Sequence, residues 1–435
     1  MDLSLLPEPL WRALLDLLVG YLRWSREGPR VLAEREQRLL DLCEAVCRLL
    51  LASDAEADES AVRPGPCACG GRFQSRGRRP RTLVTTVGEV TYRRRTYECE
   101  ACHAHRRPVD AAWGVTGGCL SARAKALAVD LASALPFREA QRWLGELGRV
   151  RISLSTLWRA TQAVGAERVA AWTDHQRTLQ SGEGAARFLL RLRGPGAAGR
   201  WAIGVDGLML RIDRQWREVK VAVVAQLSET GQWKRGTMSY LASGAEAEEF
   251  RHQVVWHALS RGITRQSVLA LLSDGAVWIG VLATRHFPNA LVIRDWWHVV
   301  EYLWKAAHAL YGEDTPEAQE QVDRWQLRLK DGKVGVIRRH LRWMKVRRGL
   351  RNTEGAEAYR KTEGYLSQHA GAMDYGRYRA GKWPIGSGPV EATCKMIQVR
   401  MKRPGANWSR TGAQHLLFLR ADYCSRLFAT LHPPS

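Results

Sequence analysis

From Arg200 onward the sequence offers three strand-like runs in immediate succession, Trp201 to Val205, Val219 to Leu227 and Gly236 to Ala242. Only then do helices and strands alternate: a helix over Ala245 to Arg261, a strand Val268 to Ser273, a helix from Val277, a strand Leu291 to Arg294 and a helix Trp296 to Leu310. The runs follow period-2 and period-3.6 spacing in turn. This order predicts an α/β unit on a mixed sheet, with the first and fourth strands side by side.

That prediction gives two aspartates a location. Asp206 closes the first strand in Ile203-Gly204-Val205-Asp206-Gly207, and Asp274 closes the fourth in Leu271-Leu272-Ser273-Asp274-Gly275. Adjacent strands would bring both carboxylates to one sheet edge. Glu391 follows Ile385-Gly386-Ser387-Gly388-Pro389-Val390, where Pro389 suits a first helical turn. That helix can lean on the same edge. Singly, each acid has a plainer role: Asp-Gly as a hairpin turn, Asp274 as a helix cap, Glu391 as a charge at a helix N-terminus. Together they form a set of hard oxygen donors suited to Mg2+ or Mn2+.

Nine cysteines are present, and four stand apart from the rest. Cys67-Ala68-Cys69 and Cys99-Glu100-Ala101-Cys102 bracket a hairpin pattern, Thr82 to Val87 and Val90 to Tyr97, with a turn expected at Gly88-Glu89. Two cysteine pairs around a hairpin describe a zinc ribbon, with Zn2+ on Cys67, Cys69, Cys99 and Cys102. The first pair has a single intervening residue, which leaves His103 or His105 as alternative ligands. Arg76, Arg78, Arg79, Arg81, Arg93, Arg94 and Arg95 lie on or beside the hairpin, as phosphate contacts or as a solvated basic face.

The remaining chain divides by composition. Residues 1–60 have helical periodicity suited to packing or self-association, and 61–112 hold the ribbon. Residues 113–180 read as three short helices resembling a helix-turn-helix, with Thr156, Arg159 and Gln162 on the outer face of the third. Glycine-rich 181–199 reads as a linker, 200–311 as the first part of the α/β unit, 312–380 as a helical insertion with a basic face from Arg338 to Arg348, and 381–435 as its C-terminal part. Lys and Arg number 66 against 44 Asp and Glu, a formal charge of +22, which favours a polyanionic partner such as double-stranded DNA. No run of about 18 apolar residues occurs. Acidic Asp2 and Glu8 argue against an export signal, so the expectation is a cytoplasmic, nucleoid-associated protein without a membrane partner.

The stretch Trp383-Pro384-Ile385-Gly386-Ser387-Gly388-Pro389-Val390-Glu391, continuing to Arg400-Met401-Lys402-Arg403-Pro404-Gly405-Ala406-Asn407-Trp408, resembles the C-terminal signature of insertion-sequence transposases of the Kra type, members of the DDE class. The similarity extends from the cysteine ribbon to about Ala421. It implies a ribonuclease H-like catalytic domain, also the fold whose sheet order the strand pattern follows. It also implies that Asp206, Asp274 and Glu391 are the catalytic acids, that terminal inverted repeats and target DNA are the substrates, and that the protein works as a homo-oligomer. Asp295-Trp296-Trp297-His298 resembles the Asp/Cys-x-x-His element of related transposases. Asp295 and His298 share a helix face and are expected near the cut, with His298 on a DNA phosphate or, equally, in a structural hydrogen bond with Asp295, and with Lys395, Gln398 and Lys402 steadying the strand. Trp296, Trp297 and Trp408 are candidates for base stacking. Two other readings have the same ingredients: a nuclease of this fold that cuts without joining, and a non-catalytic zinc-ribbon DNA-binding repressor derived from a transposase.

Overall fold

A computed structural model describes residues 7–115, 117–347 and 354–431, so Arg348 at the end of the expected basic run lies outside the described residues. The chain forms two compact units, Met1–Thr161 and Gln162–Ser435. Among the described residues, no helix is long and apolar enough to cross a membrane.

The first unit begins with helices α1 (Glu8–Arg26) and α2 (Leu32–Ala61). A three-stranded sheet follows, β1 (Phe73–Thr85), β2 (Gly88–Cys99) and β3 (His105–Arg106), then α3 (Pro108–Ala112). The β1–β2 hairpin turns at Thr86 and Val87, between the paired Thr85 and Gly88, not at Gly88-Glu89 as expected. Thr85 fixes that turn by accepting the Val87 N–H and donating to the Gly88 carbonyl. The hairpin is also longer than its apolar residues indicate, because ion pairs substitute for alternation. Arg78 and Arg95 clasp Glu59 of α2, which is 4% exposed, and Arg81 and Arg94 clasp Asp110 of α3. Burial alone would raise the Glu59 carboxyl, but hydrogen bonds from Arg95 and Arg78 outweigh it and hold it below its ordinary value. Arg76 pairs with Glu98. Most of these arginines therefore build the unit. Arg79 and Arg93 are exposed and remain available to a phosphate.

Helices α4 (Ala122–Ala134), α5 (Phe137–Glu146) and the start of α6 (Leu154–Gln180) close the unit over Ala124, Ala128, Ala140, Leu144, Val150 and Leu157. Ser121 caps α4 and Ser153 caps α6, each accepting the N–H three residues on. Three helices stand where three were expected. Leu157 packs inward and Arg159 is exposed.

In the second unit the segment read as a linker is largely helix α7 (Gly182–Arg193). Ser181 caps it by accepting the Gly184 N–H, and Leu192 is fully buried. Of the glycines that signalled a loop, Gly182 and Gly184 sit in its first turn, where helical hydrogen bonds are fewest, while Gly194 caps its end and Gly196 lies in the loop beyond it. The α/β core then runs β4 (Arg200–Ile212), β5 (Gln215–Leu227), β6 (Ser239–Ser243), α8 (Ala247–Ser260), β7 (Val268–Ser273), α9 (Val277–His286), β8 (Leu291–Arg294) and α10 (Trp296–Tyr311). Strand order is β6-β5-β4-β7-β8, with β4, β5 and β6 antiparallel and β7 and β8 parallel to β4. The first strand of the sheet does lie beside the fourth.

Alternation along β4 assigns its faces. Trp201, Ile203 and Val205 point to α8 and α9. Ala202 points to the opposite face, into a core shared with α10 and with α11 (Pro316–Lys330), α12 (Val334–Arg347), α13 (Glu354–His369) and α14 (Tyr375–Ala380). The expected insertion is thus packed into the sheet's own core. Leu208, Leu210 and Ile212 extend that face under α15 (Gly388–Met401) and α16 (Arg410–Leu431). β4 does not stop at Asp206. It continues to Ile212, turning into β5 through Asp213 and Arg214, both with positive φ (50° and 62°).

Candidate active site and metal-binding residues

Parallel pairing of β4 with β7 ends at Gly204 and Leu272. Two residues beyond that pair come Asp206, still within β4, and Asp274, immediately after the end of β7. Each carboxylate is tied to its own backbone, Asp206 Oδ1 accepting from Gly207 N (2.7 Å) and Asp274 Oδ1 from Ala276 N (3.0 Å). The helix-capping role foreseen for Asp274 is not realised: Ala276 is the N-cap of α9 and that cap has no side-chain hydrogen bond, so the Asp274 carboxylate braces the turn ahead of the helix.

The third acid arrives through a glycine. A Cβ on Gly204 would stand 2.2 Å from Val390 Cγ2, so only glycine lets α15 press this closely on β4. Glu391 follows Val390, and one turn later the Cys394 thiol reaches Asp206 Oδ2 at 3.6 Å. The loop into α15 is stapled to the β8–α10 junction: Asp295 Oδ1 accepts the Ser387 N–H (2.7 Å), and the Trp296 N–H donates to the Ile385 carbonyl (2.9 Å). Glu391 itself faces outward, 57% exposed, and pairs with Lys395 at 2.8 Å. Among the described residues, the three acids do not form a group with ligand atoms within 4.8 Å of one another; only the four cysteines do.

The electrostatics of the edge are graded. Burial raises the Asp206 carboxyl above its ordinary value; the Gly207 N–H and His298 oppose this, and the Asp274 charge adds to it. The Cys394 thiol is pushed up by burial and by Asp206. His298 donates from Nδ1 to Asp295 Oδ2 at 2.8 Å, and that bond lifts its pKa to about 9 against burial, with further help from Asp295, Asp206 and Asp274. The imidazole is thus a cation at neutral pH.

Asp295, expected among DNA contacts, is 2% exposed with both oxygens engaged, and it positions its neighbours instead. Lys395 and Gln398 share the Glu391 face of α15 at four and seven residues on. Lys402 lies roughly 16 Å along the axis by the helical rise, and its ammonium sits over Trp216 (5.2 Å). Trp296 is 6% exposed and packs edge-on against Tyr375, and Trp408 donates to the Met401 carbonyl, so of the three stacking candidates Trp297, 60% exposed, is the accessible one. Gln162 is engaged by His415. Arg159 stays exposed, its Nε donating to the Ser155 carbonyl.

Sequence reasoning missed the support behind Asp274. The Tyr365 hydroxyl of α13 donates to the Asp274 carbonyl (2.6 Å), while buried Arg294 bonds Ser273 Oγ and His369. Nothing in the spacing of these residues links them. Cys394 was traceable, three residues after Glu391 on one helix face.

In the first unit, Cys67, Cys69, Cys99 and Cys102 gather with Sγ atoms within 4.8 Å of one another, three of the pairs at 3.5 Å. Tetrahedral zinc thiolates, with bonds of about 2.3 Å, hold sulfurs about 3.8 Å apart, so the cluster could bind a metal such as zinc. The narrow first pair is accommodated by a tight turn in which Gly70 N–H donates to the Cys67 carbonyl. Gly71 has no room for a side chain, since a Cβ would lie 2.7 Å from Cys99 Sγ. Backbone N–H groups of Cys102 and Ala101 draw the Cys99 thiol down, while its thiol neighbours push Cys102 up, so the crowded sulfurs share their protons unequally. His103 bonds Glu98 instead of joining the thiols.

No family model matches the chain, and no curated protein is similar to it.

Two outcomes are expected. Protein purified without chelator should carry zinc by elemental analysis, and Cys99→Ser should lose it and lower the melting temperature; full metal retention in that variant would exclude the cysteine site. His298 should titrate near 9 by NMR. Because this folded value exceeds the ordinary 6.5, its contribution to stability is complete below 6.5 and is lost as pH rises through 9. Asp295→Asn should bring the midpoint down by about two units, and an unmoved midpoint would contradict the assigned cause.

Proposed function

We propose that the chain is a DNA transposase of the DDE class, with Asp206, Asp274 and Glu391 as its catalytic acids on a ribonuclease H-like sheet. The observation that carries this reading is the placement of Asp206 on β4 and of Asp274 just past the end of the neighbouring parallel strand β7, with the Glu391 helix pressed against β4 at Gly204. The strand order, with a leading antiparallel trio and two later parallel strands, also supports it.

The donor set fits a hard divalent cation. Asp206 and Asp274 lie at one edge with the Glu391 helix beside them, and burial raises the Asp206 carboxyl, whose charged form a bound Mg2+ or Mn2+ would favour. When bound, such ions supply Lewis acidity at the scissile phosphate and activate a water or a DNA 3′-hydroxyl for in-line displacement. The two aspartates hold the site from the rigid sheet. Glu391 reaches it by a rotamer change that trades Lys395 for the ligands' edge, which frees Lys395 to meet a phosphate with Gln398 beside it. His298, oriented by Asp295, offers a charged N–H to a phosphate oxygen. One site serves both steps, since cleavage and joining differ only in the nucleophile.

In this reading the first unit, with its ribbon and with Arg159 on α6, reads duplex DNA at the terminal inverted repeats, and the protein acts as a homo-oligomer in the cytoplasm at the nucleoid. Asp206→Asn, Asp274→Asn and Glu391→Gln should each cut metal-dependent cleavage of the element's own ends by about a thousandfold or more while leaving DNA binding within about twofold. Undiminished cleavage in any one of them would refute the assignment. A pre-cleaved end supplied to the unaltered protein should be joined to target DNA; cleavage without joining would make it a nuclease.

A further inference from the structure

Helix α12 carries Arg338, Arg339, Arg342, Lys345 and Arg347 and no acidic residue. Its inner side, Val334, Ile337, Leu341 and Met344, is buried in the core under the sheet. Arg339, Arg342, Trp343 and Val346 follow at helical spacing on the outer side, and all are exposed. A tryptophan 51% exposed in the middle of a helix contributes little to the core.

Its surroundings are ordered. His340 lies nearly parallel to Trp343 (22°, centroids 5.9 Å apart), and the Arg347 guanidinium stands 4.8 Å from the ring centroid. His340 is itself anchored, accepting at Nδ1 from the buried Trp325 Nε1–H (3.0 Å). The ring therefore already stacks on planar partners, one fixed and one on a flexible stem. Arg342 is shared with Glu363, which leaves Arg339 and Arg347 to answer an anion.

We propose that this face of α12 binds nucleic acid, with an unpaired base stacked on Trp343 in place of Arg347, and with Arg347 and Arg339 on the flanking phosphates. Planar π-faces between cations match a nucleotide strand. A lipid surface fits less well, because the helix has already committed its broad apolar side to the core and shows only Trp343 and Val346 among its cations. The proposal rests on the DNA reading above and extends it to the exposed face of α12.

The test uses the full chain, fluorescence anisotropy, and two oligonucleotides: a perfect duplex, and the same duplex with a short unpaired stretch containing 2-aminopurine. Trp343→Ala should weaken binding to the second by about 5- to 100-fold, abolish quenching of the 2-aminopurine, and change duplex binding less than about twofold. Trp343→Phe should restore most of the loss, and Arg347→Ala should weaken both DNAs and lower the salt dependence. Equal affinity of the original chain and Trp343→Ala for the unpaired DNA, with circular dichroism unchanged, overturns the proposal while leaving the DNA reading intact. No binding of either DNA by the original chain overturns both. Loss of binding to phosphatidylserine vesicles in Trp343→Ala, without an effect on DNA, assigns the face to a membrane and overturns it as well.

Discussion

The close approach of α15 to β4, at a glycine with no side chain to hold them apart, is the contact on which the candidate site depends. Val390 fills the space a Cβ on Gly204 would take and is fully buried there. Any larger residue at 204 must push the helix outward, and with it Glu391 and Cys394. The helix is also held at its start, where Asp295 and Trp296 fasten the Ile385 to Ser387 loop. Packing and hydrogen bonding therefore fix the same helix end from two sides, which sets the backbone position of Glu391 while its side chain turns outward to Lys395.

Charge is balanced around this edge without neutralising it. His298 is kept protonated by Asp295, and Lys395 shields Glu391. Behind Asp274, Arg294 is buried with hydrogen bonds to Ser273 and His369, and Tyr365 secures the main chain. The helical segment between Leu310 and the Glu391 helix is thereby more than an appendage, because its tyrosines brace the sheet end that carries an aspartate. Tyr375 does the same for β8 through the Arg294 carbonyl.

Elements with clean periodicity were legible in the sequence. The five strands, the first lying beside the fourth, and the neighbouring positions of Asp206 and Asp274 follow from apolar runs, and the cysteine pairs announced their cluster. What was hidden has a physical reason in each case. The β1–β2 hairpin is built by arginines on Glu59 and Asp110, so its outer half lacks the apolar alternation that marks a strand. The length of β4 was masked by Asp206, Gly207 and Arg211, whose polar character reads as a strand end, although pairing with β5 carries the strand through them. Lys402 and Trp296 were placed by sequence proximity, which ignores the rise of α15 and the burial at the start of α10. Contacts such as Tyr365 with Asp274 join residues 91 apart and leave no local trace.

The central proposal, that Asp206, Asp274 and Glu391 together hold the two divalent cations of one site, is tested most directly by iron-directed backbone cleavage. With hydrogen peroxide as oxidant and ascorbate to regenerate the ferrous ion, Fe2+ substituting for Mg2+ generates hydroxyl radicals that cut the chain beside its ligands. The account predicts cuts at three places, around 206, 274 and 391, all suppressed together by excess Mg2+. Cuts near the two aspartates with none near 391, or a pattern indifferent to Mg2+, would contradict it.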